Sequence, residues 1–133
     1  MTDRPMKLLD SFFTLLSGSG AGVRRVDPAE AAQLVRDNKA VLIDVREPDE
    51  WTAGVAQSAA LLPLSDLTGP RKLWQPFLRK VGDREIILYC LSGGRSGSAA
   101  RILAAEGFKT ANAGGIHRWQ AAGLPIAQPK KRR

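Results

Sequence analysis

Cys90 is the only cysteine of the chain, and Leu91-Ser92-Gly93-Gly94-Arg95-Ser96 follow it. The residues leading to it, Glu85-Ile86-Ile87-Leu88-Tyr89-Cys90, form an apolar run that reads as a strand buried on both faces. Those after it, over 96–106, are small and helical, and Gly107 closes them in the C′ position. A strand, a tight glycine loop and a helix N-terminus make an anion cradle. Backbone N–H groups turn inward there, and the helix dipole adds positive potential. Gly93 and Gly94 allow the backbone angles of so tight a loop. A cysteine at the mouth of the cradle has its thiolate stabilised and its pKa lowered. A thiolate at neutral pH is a nucleophile, so the pattern points to covalent chemistry at Cys90. The competing reading is a buried cysteine packed as a small hydrophobe. A glycine pair with Ser and Arg directly before a small-residue helix is hard to explain by packing alone.

Other side chains fall around this candidate nucleophile. Arg95 has two readings: it holds an anion, or it pairs with a carboxylate such as Asp44 to brace the loop. Bracing is favoured, because the loop amides already supply the cradle. Asp44 and Arg46 read as structural, tying a strand end to its turn. Ser92 and Ser96 are hydroxyl donors in reach of the cysteine. His117, the only histidine, is expected in solvent. Trp51, Trp74 and Trp119 read as core or rim aromatics; no basic residues interleave with them, unlike a nucleic-acid surface.

The elements that must position these residues alternate in type. Asp27-Pro28-Ala29-Glu30 is a helix start, with Asp27 as cap, Pro28 at the first position and Glu30 in a capping-box-like spacing. That helix runs to about Asn38. Residues 40–45 read as a second doubly buried strand, followed by a polar turn over 46–49 and a short helix over 50–53. A short strand is expected over 60–64. A helix is expected over 70–80, with Pro76 as a kink or break. A strand over 108–113 and a helix over 116–122, closed by Gly123, complete the series. Strands interleaved with helices give an α/β fold with a central, mostly parallel sheet. Sites in such folds lie at the carboxyl ends of strands, where Cys90 and Asp44 both fall. No internal repeat is seen.

Composition bounds the function classes. With 133 residues, 44% apolar and 25% charged, the chain suits one domain and is not a disordered polymer. One cysteine excludes an intrachain disulfide framework. No apolar stretch approaches the roughly 20 residues of a membrane span. The net charge is 20 − 13 = +7, but Lys130, Lys131, Arg132 and Arg133 supply four of the seven. The basic residues thus form a solvated tail more than a nucleic-acid surface, and only weak tail contact with RNA or anionic lipid is expected. Residues 1–22 stand apart. Leu8, Leu9, Phe12, Phe13, Leu15 and Leu16 make a helical apolar face, suited to docking on the domain or on a partner, and a Gly/Ser break follows. The segment has only Arg4 and Lys7 as basic residues, balanced by Asp3 and Asp10, which counts against a membrane-surface anchor, and it has no obvious cleavage site for a secretory signal. The organisation is therefore 1–22 segment and linker, 23–127 domain, 128–133 basic tail.

Cys90-Leu-Ser-Gly-Gly-Arg-Ser resembles the active-site loop of the rhodanese (sulfurtransferase) family. Leu42-Ile43-Asp44-Val45-Arg46-Glu47 with Glu50-Trp51 is similar to that family's early strand-and-turn signature. Gly107-Phe108, Gly114-Gly115-Ile116, Trp119 and Ala122-Gly123-Leu124-Pro125 are similar to its C-terminal signature. Order and spacing agree over 23–127. One departure is the family's Gly-His-Ile segment, where this chain has Gly54-Val55-Ala56; that histidine is usually read as structural. The resemblance implies a single rhodanese-like domain, its parallel sheet flanked by helices on both sides. It implies Cys90 as the catalytic nucleophile, Leu91, Ser92, Gly93, Gly94, Arg95 and Ser96 as the substrate-binding loop, and Asp44 and Arg46 in support. The chemistry implied is a persulfide: Cys90 takes a sulfane sulfur from a small anionic donor such as thiosulfate and yields it to cyanide, a thiol or a protein. No metal and no organic cofactor are implied. Loops of cysteine-dependent phosphatases are one residue longer between Cys and Arg, so this loop suits one extra sulfur atom better than a phosphate. The alternative to an enzyme is a sulfur-carrier or interaction module with a dedicated partner. A reactive, unpaired thiol suits the reducing cytoplasm.

Overall fold

The computed structural model describes residues 23–129. The apolar face over 8–16 and the basic residues 130–133 lie outside the described residues. In chain order the elements are β1 (Arg24–Arg25), α1 (Pro28–Arg36), β2 (Ala40–Asp44), α2 (Pro48–Trp51), β3 (Val55–Ala56), β4 (Ala60–Leu61), α3 (Leu64–Leu67), α4 (Trp74–Lys80), β5 (Glu85–Cys90), α5 (Gly94–Ala105), β6 (Thr110–Gly115), α6 (Ile116–Ala121) and β7 (Ile126–Ala127). Five strands form one sheet in the order β1-β6-β5-β2-β4, and every pairing in it is parallel. β3 and β7 pair antiparallel in a separate ribbon.

The apolar run of β5 explains its central place, since a strand covered by helices on both faces needs apolar side chains at every position. Alternation splits that run into two cores. Ile86, Leu88 and Cys90 face one side with Leu67, Trp74, Leu78, Ala99, Ala100 and Leu103. Ile87 and Tyr89 face the other with Ala31, Ala32, Leu42, Ile116 and Trp119. Helices α3, α4 and α5 thus cover the cysteine's face, and α1 and α6 cover the opposite one. All three tryptophans are buried. Among the described residues no helix is long and apolar enough to cross a membrane.

Three local expectations need correction. Asp27 precedes α1, but its side chain caps no amide; its carboxylate instead accepts from Arg118 Nη2 at 3.3 Å. The capping box sits at α2, where Glu47 and Glu50 satisfy each other's backbone N–H groups and Pro48 opens the helix. Pro76 neither kinks nor breaks α4. It occupies the third helical position, inside the first turn, whose N–H groups have no intrahelical partner to lose. The Asp66 carboxylate accepts from the N–H groups of Lys72, Leu73 and Trp74 at 2.9–3.0 Å and so caps that end from outside. The strand expected over 60–64 is shorter, because α3 begins at Leu64.

Candidate active site

Cys90 ends β5 and is 1% exposed. The chain turns at once into α5, and Gly93 caps that helix with φ +103°, a left-handed conformation that favours glycine. That geometry aims the Gly93 N–H at Cys90 Sγ, 3.1 Å away. The Ser96 N–H donates to the same sulfur at 3.3 Å, and the Ser96 hydroxyl lies 3.4 Å from it. Burial pushes the Cys90 thiol up, yet the hydroxyl and N–H of Ser96 and the N–H groups of Gly93 and Ser92 outweigh it. The pKa is left below that of an ordinary thiol. Helix α5 starts at Gly94, two residues earlier than expected, so the loop is shorter and tighter. Ser92 takes part through its backbone; the hydroxyl that reaches the sulfur belongs to Ser96. Leu91 stands 46% exposed beside the cysteine.

The loop rests on β6. Cys90 is in register with Gly115. A Cβ at Gly115 would collide with the Leu91 carbonyl and lie 3.1 Å from the Ser92 Cα. A Cβ at Gly93 would lie 3.4 Å from the Gly114 Cα. Backbone is thus stacked on backbone, which is why the glycine pair stands where it does. Asn112 precedes the pair on β6. Its Nδ2 donates to the Gly93 carbonyl at 3.0 Å. Its Oδ1 accepts from the Gly114 N–H at 2.9 Å and from the Ser96 hydroxyl at 2.8 Å. Sequence reasoning placed Asn112 in a strand without singling it out. The available signal was a polar amide between Ala111 and Ala113, just ahead of two glycines.

Arg95 pairs with a carboxylate, but not with that of Asp44. Its Nη1 and Nη2 donate to the two oxygens of Glu50 at 2.7 and 2.8 Å. Those hydrogen bonds hold the Glu50 carboxyl down at about 2, and the same pair raises Arg95. Asp44 is occupied elsewhere. Arg46 Nη2 and Nε reach its carboxylate at 2.9 and 3.1 Å, and the Arg46 N–H adds a third donor at 2.9 Å. Arg46 also donates to the Gly54 carbonyl at 2.8 Å. The reason is strand parity: Asp44 shares its face with Leu42 and with Tyr89, its register partner on β5, whereas α5 and Cys90 lie on the other face. Tyr89 joins this cluster: its hydroxyl accepts from the Ala56 N–H at 2.8 Å, and burial followed by the Asp44 charge raises its pKa. Asp44 and Arg46 therefore support the strand end and do not touch the sulfur. His117 is exposed on α6.

With Arg95 committed to Glu50, the donors on the sulfur are backbone amides and one hydroxyl. A negative charge on sulfur is favoured there without a paired cation, and the exposed Leu91 adjoins the buried cysteine in the chain. Residues 27–122 match the family model for the rhodanese-like domain. A protein of Allochromatium vinosum named a sulfurtransferase is 33% identical over 111 residues, covering 81% of this chain and 98% of that protein. An uncharacterized Synechocystis protein is 35% identical over 107 residues, 79% of this chain, which spans only 56% of that relative's length. Among solved structures, the polysulfide-sulfur transferase homodimer of Wolinella succinogenes is similar with a TM-score of 0.65 at 26% identity, over 91% of this chain and 90% of that one.

Proposed function

This chain belongs to the rhodanese-like family, and from that premise we propose that it is a sulfurtransferase working through a Cys90 persulfide. The observation that carries the reading is the set of donors converging on Cys90 Sγ from Gly93 and Ser96. The Cys90 thiolate attacks the outer sulfur of a small anionic donor of the thiosulfate type. The donor's S–S bond breaks, its electron pair departs with sulfite, and a Cys90 S–S bond forms. The outer persulfide sulfur carries the negative charge, which backbone donors of the loop suit. An acceptor nucleophile (cyanide, a thiolate or a protein thiol) then attacks that outer sulfur. The S–S electron pair returns to Sγ and the thiolate is restored. No electrons enter or leave the protein.

The substrate contacts are assigned to Leu91 through Ser96. Arg95 acts there by fixing α5 against α2 through Glu50, while the loop amides meet the anion. The test is intact mass after thiosulfate, with and without cyanide, on wild type and Cys90→Ser. A gain of one sulfur atom that needs Cys90 and vanishes with cyanide is expected. No gain with thiosulfate, polysulfide or a mercaptopyruvate-type donor overturns the small-donor reading.

The exposure of Leu91 beside the sulfur favours a second reading, in which the acceptor is a protein that covers an apolar rim. Residues 1–22 would then serve as a docking element, and a reducing compartment such as the cytoplasm would suit the free thiol. Turnover separates the two readings. An efficient enzyme saturates with a small donor, whereas a carrier turns over poorly until its partner is added.

A further inference from the structure

We propose that Asn112 is a positioning residue for this sulfur chemistry, acting on Cys90 through Gly93 and Ser96; the assignment rests on reading Cys90 as the sulfur-bearing nucleophile. Both ends of its carboxamide are engaged. Nδ2 holds the carbonyl of Gly93, the residue whose own N–H donates to Cys90 Sγ. Glycine has no side chain to fix its conformation, so the Gly93 N–H is aimed by what grips that residue. Its carbonyl is gripped twice, by Asn112 and by the Gly97 N–H at 3.0 Å.

The other end governs Ser96. Its hydroxyl has one proton and two acceptors in reach, Asn112 Oδ1 at 2.8 Å and Cys90 Sγ at 3.4 Å. When the sulfur is a thiol, S–H donates to Ser96 Oγ and the hydroxyl donates to Oδ1. When the sulfur is an anion, the hydroxyl turns its proton to sulfur, and Oδ1 keeps the Gly114 N–H. The hydroxyl thus matches either charge state by rotating one proton, with the heavy atoms fixed. A carboxamide suits both jobs, since one end must donate to a carbonyl and the other must accept. An aspartate would lose the donor and set a negative charge behind the thiolate. The amide is also wedged in place: a Cβ on Gly97 of α5 would lie 3.2 Å from Nδ2. The charged groups around the cradle are Arg95 on α5, paired with Glu50 of α2, and Arg118 on α6, which lies beside Gly114 and pairs with Asp27.

The test is the pH dependence of Cys90 alkylation by iodoacetamide in the full chain. Wild type, Asn112→Ala, Asn112→Asp, Ser96→Ala and the double variant Ser96→Ala/Asn112→Ala are compared, with urea denaturation run on each. Asn112→Asp is expected to raise the alkylation midpoint by about half a unit or more, because it adds charge and loses the grip on Gly93; Asn112→Ala loses that grip but also the acceptor used only in the thiol state, so its rise is smaller. The double variant is expected to shift by more than the sum of the single ones, since without the Ser96 hydroxyl the loss of Oδ1 no longer favours the thiolate. If Asn112→Ala does not fold, the isosteric Asn112→Asp carries the measurement. A purely structural Asn112 would lower stability and leave the midpoint in place. Wild-type midpoints in both Asn112 variants, or additive shifts in the double variant, overturn the assignment. Thiosulfate loading is read separately by mass: a wild type that takes no sulfur overturns the persulfide reading alone.

Discussion

The two adjacent strands β2 and β5 end side by side, yet their ends do opposite things. At the end of β2, Asp44 and Arg46 are 0% and 3% exposed. Each has its charge matched by the other and its spare groups satisfied by the Arg46 N–H and the Gly54 carbonyl. At the end of β5, Cys90 is as deeply buried, but the donors around it are backbone amides and a hydroxyl. The first site is closed: any added charge there would be unpaired. The second holds donors that gain most when the sulfur becomes negative. Burial alone does not distinguish a structural polar group from a reactive one. What distinguishes them is whether the surrounding donors are already neutralised.

Four changes test that contrast. Cys90→Ala is expected to bring sulfur transfer to background while the protein stays folded, because the side chain that replaces it is a small apolar one; a thiosulfate–cyanide assay beside a melting curve reads both. Arg46→Ala is expected to cost about 3–5 kcal/mol, measured by urea denaturation, because it strands the Asp44 carboxylate in the core. Wild-type stability for that variant would break the comparison. Gly115→Ala is expected to displace Leu91 and Ser92, with a stability cost of about 1–3 kcal/mol and at least about a tenfold loss of turnover. A Gly115→Ala enzyme with full turnover would show that the loop needs no glycine seat. The smallest effect is in acid. The Glu50 carboxyl is held at about 2, below its ordinary value of 4.5, so its pairing with Arg95 stabilises the fold fully above that ordinary value. The contribution fades as pH falls through about 2. Glu50→Gln should flatten this acid limb, and a pH series of denaturation midpoints on both proteins measures it.

Sequence legibility followed the size of the physical signal. The doubly apolar runs of β2 and β5, the Cys90 loop and the long small-residue helix were all visible, because burial on two faces and glycine chemistry leave strong local marks. The two-residue strands β1, β3 and β7 were not. Arg24-Arg25 is exposed and polar, and its strand character comes only from pairing with β6. Pro76 looked like a break because a sequence does not show which helical position a proline holds. Glu50 belonged to a recognised signature, but its partnership with Arg95 spans 45 residues and depends on strand parity combined with the start of α5. Asn112 was hidden for the same reason: its role is a set of contacts from β6 to α5, not a local pattern.

The strand order has a consequence for synthesis. A chain emerging from its N-terminus can pair β5 with β2 as soon as both are out, but the other edge of β5 stays open until β6 follows. Until Gly114 and Gly115 arrive, the cysteine loop has no seat, and Asn112 is not there to grip Gly93. A nascent chain halted in that interval presents an unpaired, apolar strand edge, the kind that invites association between chains. Its thiol is also not yet activated. Cys90 is therefore made before the strand that seats its loop, and the ribbon of β3 with β7 closes later still.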